Sequence, residues 1–154
     1  MKRRTFLKGT VAGSVIAVAV GSGLLRPTQA LAAAWPKSAF KSKTIADTMK
    51  NLFGSSSAKA SSAIKIKAPI QAENGAVVPI SVSTTLPNVQ AIGVLVEKNP
   101  FPLACSLNAT GASGFFSARI KMGKTSPIHC VVKAGGKLHV AKKTIKVTVG
   151  GCGG

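Results

Sequence analysis

"IHCVVKAGGKLHV", residues Ile128 to Val140, decides how this chain folds. Ile128, Cys130 and Val132 lie on one face of a period-two pattern, and Leu138 and Val140 resume it after "AGGK" (Ala134 to Lys137). Two alternating runs separated by a glycine pair read as a β-hairpin. The same period recurs outward from it: Ile64 and Ile66 against Lys65 and Lys67, then Val78, Ile80 and Val82, then Ile92, Val94 and Val96. Leu103, Cys105 and Leu107 share a face, as do Phe116, Ala118, Ile120 and Met122, and a last run holds Ile145, Val147 and Val149. Pro79 predicts an edge or a bulge, and "EKNPFP" (Glu97 to Pro102) predicts a turn, because two prolines remove two donors. About seven or eight short strands with frequent turn signals predict an all-β fold, an immunoglobulin-like antiparallel β-sandwich. Lys65, Lys67, Lys121, Lys133 and Lys146 alternate with apolar residues as on a solvated sheet face.

Before the strands, Ile45, Met49, Leu52 and Phe53 recur at helical spacing, and Gly54 is a stop signal. One amphipathic helix is therefore expected over Lys37 to Phe53. "GSSSAKASS" (Gly54 to Ser62) reads by composition as a flexible linker. At the start of the chain, "KRRTFLK" (Lys2 to Lys8) precedes a weakly apolar, glycine-broken run from Val11 to Leu25. Basic residues before a short apolar stretch closed by small residues read as an export signal, and Arg3 with Arg4 makes it the twin-arginine type. Cleavage follows either Ala30-Leu31-Ala32 or Thr28-Gln29-Ala30. The expected organisation is thus an export signal over 1–32, one domain over 33–149 and a glycine arm over 150–154. Roughly 120 residues after the signal suffice for one compact domain.

The chain carries 21 Lys and Arg against 3 Asp and Glu. Five of the basic residues (Lys2, Arg3, Arg4, Lys8, Arg26) leave with the signal, so sixteen remain against Asp47, Glu73 and Glu97, a net charge of about +13. Such a surface attracts anions. Nucleic acid is disfavoured, because there is no zinc-finger spacing, Tyr is absent and Trp35 stands alone.

Cys105 and Cys130 point to the apolar face of their strands. They are either two buried thiols, the usual finding, or a structural disulfide, which over a loop of about 26 residues would contribute roughly 3.5 kcal/mol. Neither reading supplies a partner for Cys152. His129 and Cys130 leave opposite faces of a strand and cannot share an ion, and with so few carboxylates no metal site is expected. No G-x-S-x-G elbow or paired carboxylates appear for hydrolase chemistry. Cys152 sits between Gly150-Gly151 and Gly153-Gly154, residues that resist being fixed. Five residues extend to about 16 Å, so this sulfur can enter a narrow site on another protein. No cofactor is called for, and no membrane contact once the signal is removed.

The terminus "IKVTVGGCGG" (Ile145 to Gly154) resembles that of the SoxY family, sulfur-carrier subunits of the periplasmic Sox thiosulfate-oxidising system. "AENGAVVP" (Ala72 to Pro79), "VEKNPFPLA" (Val96 to Ala104) and "ARIKM" (Ala118 to Met122) are similar to the family in the same order. The resemblance implies a non-enzymatic carrier that holds thiosulfate-derived intermediates, an S-thiosulfonate and then a persulfide, on Cys152, with Gly150, Gly151, Gly153 and Gly154 as a swinging arm. It implies a heterodimer with a SoxZ-like subunit. It also implies service to a haem c sulfur-transferring enzyme, a sulfate-releasing hydrolase and a sulfane dehydrogenase in the periplasm. Cys105 and Cys130 depart from the family pattern, which needs only the terminal cysteine. Two other readings compete: a thiocarboxylate carrier activated at Gly154, and a structural sandwich with an idle tail.

Overall fold

The computed structural model describes residues 35–148. Its compact body begins at Pro36, and the stretches read from sequence as an export signal (1–32) and a glycine arm (150–154) lie outside the described residues. The hairpin expected around Ala134 to Lys137 is present: β8 (Ser126–Ala134) and β9 (Lys137–Val147) pair antiparallel, with Ala134 opposite Lys137. Gly135 and Gly136 both have positive φ, 54° and 76°. This is the pair of left-handed positions that a two-residue loop needs to match the twist of its strands.

Around this hairpin stand β1 (Lys59–Ala60), β2 (Ile64–Lys67), β3 (Gln71–Ala72), β4 (Val78–Thr84), β5 (Val89–Val96), β6 (Leu103–Asn108) and β7 (Phe115–Ile120). One sheet runs β1-β9-β8-β5-β6, with β3 also beside β9, and the other runs β2-β4-β7. The two pack face to face as an immunoglobulin-like sandwich. Ile80, Val82, Ile92, Val94, Ile128, Cys130 and Ile145 are buried between them. Truncating one such isoleucine to alanine costs about 2–5 kcal/mol, because the lost transfer energy is joined by the cavity left behind. Among the described residues no helix is long and apolar enough to cross a membrane.

The helical segment differs from the single helix expected. It forms α1 (Lys37–Lys41) and α2 (Ile45–Phe53), with Ser42 extended between them at φ −63° and ψ 146°. The cause is a capping signal at Thr44. Its side chain accepts a hydrogen bond from the Asp47 amide at 3.1 Å and donates to the Asp47 carboxylate at 2.7 Å, satisfying an orphan helix donor and restarting the helix. At the other end Gly54 adopts φ +85°, and its amide bonds the Lys50 carbonyl at 2.9 Å.

These helices cover the outer face of the larger sheet, so that sheet is buried on both sides. Met49, Phe53, Leu95, Leu103, Val131 and Leu138 form this second core. Double burial explains the apparent change of phase late in the chain. Leu138 and Val140 face the helices, whereas Ala141, Ile145 and Val147 face the sandwich core, all on one unbroken strand. The two runs expected there are a single β9. Leu103 likewise does not share a face with Cys105 and Leu107. A register shift pairs Leu95 with Leu103 but Val94 with Cys105, and the extra Ala104 turns Leu103 toward the helices.

Residues 54–62 are not wholly a linker. Lys59 and Ala60 pair parallel with His139 and Val140, and the Ser61 amide bonds the Val140 carbonyl at 3.0 Å. Composition hid this short strand because its side chains are exposed and only its backbone is used. Pro79 lies in the middle strand of the smaller sheet, yet β2 ends at Lys67 opposite Ser81. There β4 has a paired neighbour on one side only, Arg119 of β7, so proline is tolerated as at an edge.

Gly93 marks where α2 sits closest to the sheet. A Cβ at this position would lie 2.9 Å from Phe53 Cζ and 3.2 Å from Leu52 Cδ2. Gly93→Val is expected to lower unfolding free energy by about 1–3 kcal/mol through overpacking. Urea denaturation checks it, and a midpoint unchanged from the parent would show that α2 can lift without cost.

Candidate functional site

The described strand that leads toward Cys152 is β9, and its last residues are held from two sides. Lys146 and Val147 pair parallel with Gln71 and Ala72 of β3. The Lys146 amide donates to the Ile70 carbonyl at 2.9 Å and the Thr148 amide to the Ala72 carbonyl at 3.0 Å. From the other side the Val147 amide donates to Thr125 Oγ1 at 2.9 Å, and that hydroxyl donates back to the Val147 carbonyl at 3.4 Å. A backbone so bonded up to Thr148 gives whatever follows a fixed point of departure.

Beside it lies a cavity of about 220 Å³ lined by Glu73, Gly75, Lys121, Met122, Val147 and Thr148 among others. Gly75 is required here: its carbonyl accepts from the Met122 amide at 2.7 Å, and a Cβ would lie 2.9 Å from Val147 Cγ1. β3, Thr125 and Gly75 were not identified as parts of a site from sequence. The signal for β3 and Gly75 is only the Asn74-Gly75 turn inside "AENGAVVP", and Thr125 has none. Cys152, Gly150, Gly151, Gly153 and Gly154 lie outside the described residues.

The other two cysteines are free. Cys105 and Cys130 both pair with Val94, from opposite sides of β5. They stand two strand spacings apart, about 9.5 Å, beyond the roughly 7 Å limit for bridging Cα atoms. The disulfide alternative is therefore replaced by two thiols. Burial pushes Cys105 from the ordinary 9.0 to about 11. Burial, with a smaller contribution from Cys105, pushes Cys130 to about 12. Thiols held protonated are poor nucleophiles. Iodoacetamide at pH 8 is expected to modify one thiol per native chain quickly and the other two only after denaturation, as read by intact mass. Because both folded values are raised, stability is full below about pH 9 and declines as pH rises from there toward 11 and 12. Cys130 is buried and Cys105 half-buried, so fast native labelling of all three would contradict this placement.

His129 takes the opposite face of β8 from Cys130, as its neighbouring position requires. It is buried, and its Nε2 lies 2.8 Å from Glu97 Oε2.

The described body is first of all an immunoglobulin-like sandwich of a type found in unrelated settings. A superoxide reductase (neelaredoxin) from Ignicoccus hospitalis shares the fold at TM-score 0.50 and 22% identity, over 55% of this chain and 79% of that one. A second likeness is more specific. The sulfur carrier protein SoxY from Chlorobium limicola f thiosulfatophilum is 39% identical with a TM-score of 0.61, over 67% of this chain and 94% of that one. The family model described as sulfur oxidation protein SoxY matches residues 49–152. The chain belongs to the SoxY family. A comparison with curated proteins finds no match.

Proposed function

We propose that this protein is a periplasmic sulfur-substrate carrier that keeps thiosulfate-derived intermediates covalently attached to Cys152. The observation that carries the reading is the family match, which runs through the sandwich and extends to residue 152. The anchored end of β9 supports it physically. A rigid body ending at Thr148 and followed by Gly150 and Gly151 lets one sulfur move over a short radius without disturbing the core.

In the first step the Cys152 thiol and thiosulfate join through a new S–S bond. Two electrons leave to a c-type haem enzyme and one proton to water, giving an S-thiosulfonate. Water then attacks the terminal sulfone in a hydrolase, sulfate departs, and a persulfide remains on Cys152. That persulfide is oxidised by a sulfane dehydrogenase or passed on. The carrier supplies attachment and reach. The glycine arm, the twin-arginine export of the chain and a heterodimer with a SoxZ-like subunit belong to the same proposal. A stable heterodimer would bury on the order of 1,600 Å².

The test is intact-mass analysis of the chain after turnover with thiosulfate and the loading enzymes. A persulfide adds about 32 Da, removable by reductant. The expected product carries it on the peptide containing Cys152. A mass gain on the Gly154 carboxylate, or none, would refute the mechanism.

A further inference from the structure

Sharing one tethered sulfur among enzymes requires each to seat close to the tether's origin. Four residue steps separate Thr148 from Cys152, at most about 14 Å of chain. An enzyme that takes the sulfur into a buried site must therefore touch this body near the end of β9. What lies there is uneven in charge and shape. On the outer face of the smaller sheet Lys65, Lys67, Pro79, Ser83, Ser117 and Arg119 are exposed, with Pro79 opposite Arg119 and Ser81 opposite both Lys67 and Ser117.

The end of this face toward Thr148 holds Lys67, Arg119 and Lys121. Lys121 follows β7, and its neighbour Met122 bonds Gly75 beside the end of β9. Where β2 stops and turns away, a cavity of about 380 Å³ opens, lined by Lys67, Ala68, Pro69, Pro79, Ile80 and Ser81. Two large apolar side chains flank its walls in sequence and are left in water. Ile70 is 76% exposed and Val77 50%. Of the three acidic residues beyond residue 32, Asp47 accepts from the Thr44 hydroxyl at the start of α2 and Glu97 bonds His129, leaving Glu73 as the one near β9.

We propose that this corner, with Lys67, Arg119 and Lys121 around the exposed Ile70 and Val77, is the docking face for an acidic surface on the enzyme that loads the arm. The inference rests on the carrier reading of Cys152 and adds where and by what chemistry the enzyme is met. Charge decides the occupant. A second copy of this strongly cationic chain would be repelled, whereas an acidic protein face is drawn in and oriented. The serines and prolines keep the sheet surface low enough for close approach, while Ile70 and Val77 supply apolar anchors at the centre of a polar rim. Electrostatic steering should appear as a salt-sensitive association rate.

The experiment uses the full processed chain and the c-type haem enzyme of the same system. Association is measured with Cys152→Ser, which binds without being loaded, and KM and kcat for loading with Cys152 intact. Lys67→Glu with Arg119→Glu is compared with Lys133→Glu and Lys137→Glu. The latter pair lies at the β8–β9 hairpin, about 36 Å along β9 from Thr148. The first pair is expected to raise KM and Kd by about tenfold or more, with kcat at saturation unchanged and a shallower salt dependence. The hairpin pair should leave all three near the parent values, and Ile70→Ser with Val77→Ser should raise Kd without altering the salt slope.

Equal effects from both charge pairs would mean that only net charge matters and would overturn the assignment. So would unchanged binding in the first pair, binding to anionic phosphatidylglycerol vesicles that the enzyme does not displace, or burial of this corner under the SoxZ-like subunit. If the parent chain binds the enzyme at this face yet Cys152 is never loaded, the carrier reading fails while the docking face stands.

Discussion

Cys152→Ser is expected to abolish thiosulfate-dependent sulfate formation while leaving the fold intact. The chemistry needs a sulfur that can form and break an S–S bond, and a serine oxygen cannot take part in either step. Neither remaining cysteine can substitute. Cys130 is buried against Ile128 and Val94 in the sandwich core, and burial raises both thiols well above their ordinary value. The fold should be indifferent, because both cores are completed by residues up to Val147. The measurements are sulfate release, adduct mass and thermal unfolding on the same preparation. Loss of sulfate and adduct with an unchanged melting curve is expected. Residual sulfate formation by the variant would sink the carrier mechanism. Cys105→Ala provides the converse check, since turnover should be retained in full.

Why the strands could be read from sequence and the layers could not follows from which faces are buried. A strand covered on one face alternates cleanly, as Ile64 to Lys67 and Val78 to Val82 do, and both stand in the smaller sheet. β5 and β8 are buried on both faces, so Leu95 and Val131 sit in an apolar run whose second face has no separate signal. In β9 the covered face changes along the strand, which reads in one dimension as two strands. The helix break was legible in principle, because Thr44 and Asp47 have capping-box spacing, but the apolar period runs across it. Of the candidate site, Cys152 and its glycines stood out because their composition is extreme. The anchors Thr125, Ala72 and Gly75 did not, since Ala72 acts through its backbone carbonyl, Thr125 through a lone hydroxyl outside any periodic pattern, and Gly75 through the side chain it lacks.

That missing side chain carries the other large effect. In Gly75→Ala the new Cβ would fall on the Met122 carbonyl oxygen and against Val147 Cγ1. The carbonyl is backbone and cannot rotate away, so either the turn connecting β3 to β4 lifts or the chain after β7 shifts. Each movement stretches the hydrogen bond from the Met122 amide to the Gly75 carbonyl. Lifting that turn also pulls β3 from β9 and with it the acceptor of the Thr148 amide. Overpacking at a site with no side chain to yield, together with a lost buried hydrogen bond, is expected to cost about 2–4 kcal/mol. Gly123→Ala is the matched control, two positions beyond Lys121, where a Cβ would find only Asn99 Oδ1 at 3.9 Å. Urea denaturation should separate the two variants clearly. Hydrogen exchange should show the Met122 and Thr148 amides losing protection in Gly75→Ala, while amides of the β8–β9 hairpin keep theirs. With its point of departure loosened, the arm should still be chemically competent but poorly presented. Loading of Cys152 should therefore show a raised KM for the carrier before any fall in kcat. Parent-like stability and exchange in Gly75→Ala would show that the end of β9 is not anchored through this glycine.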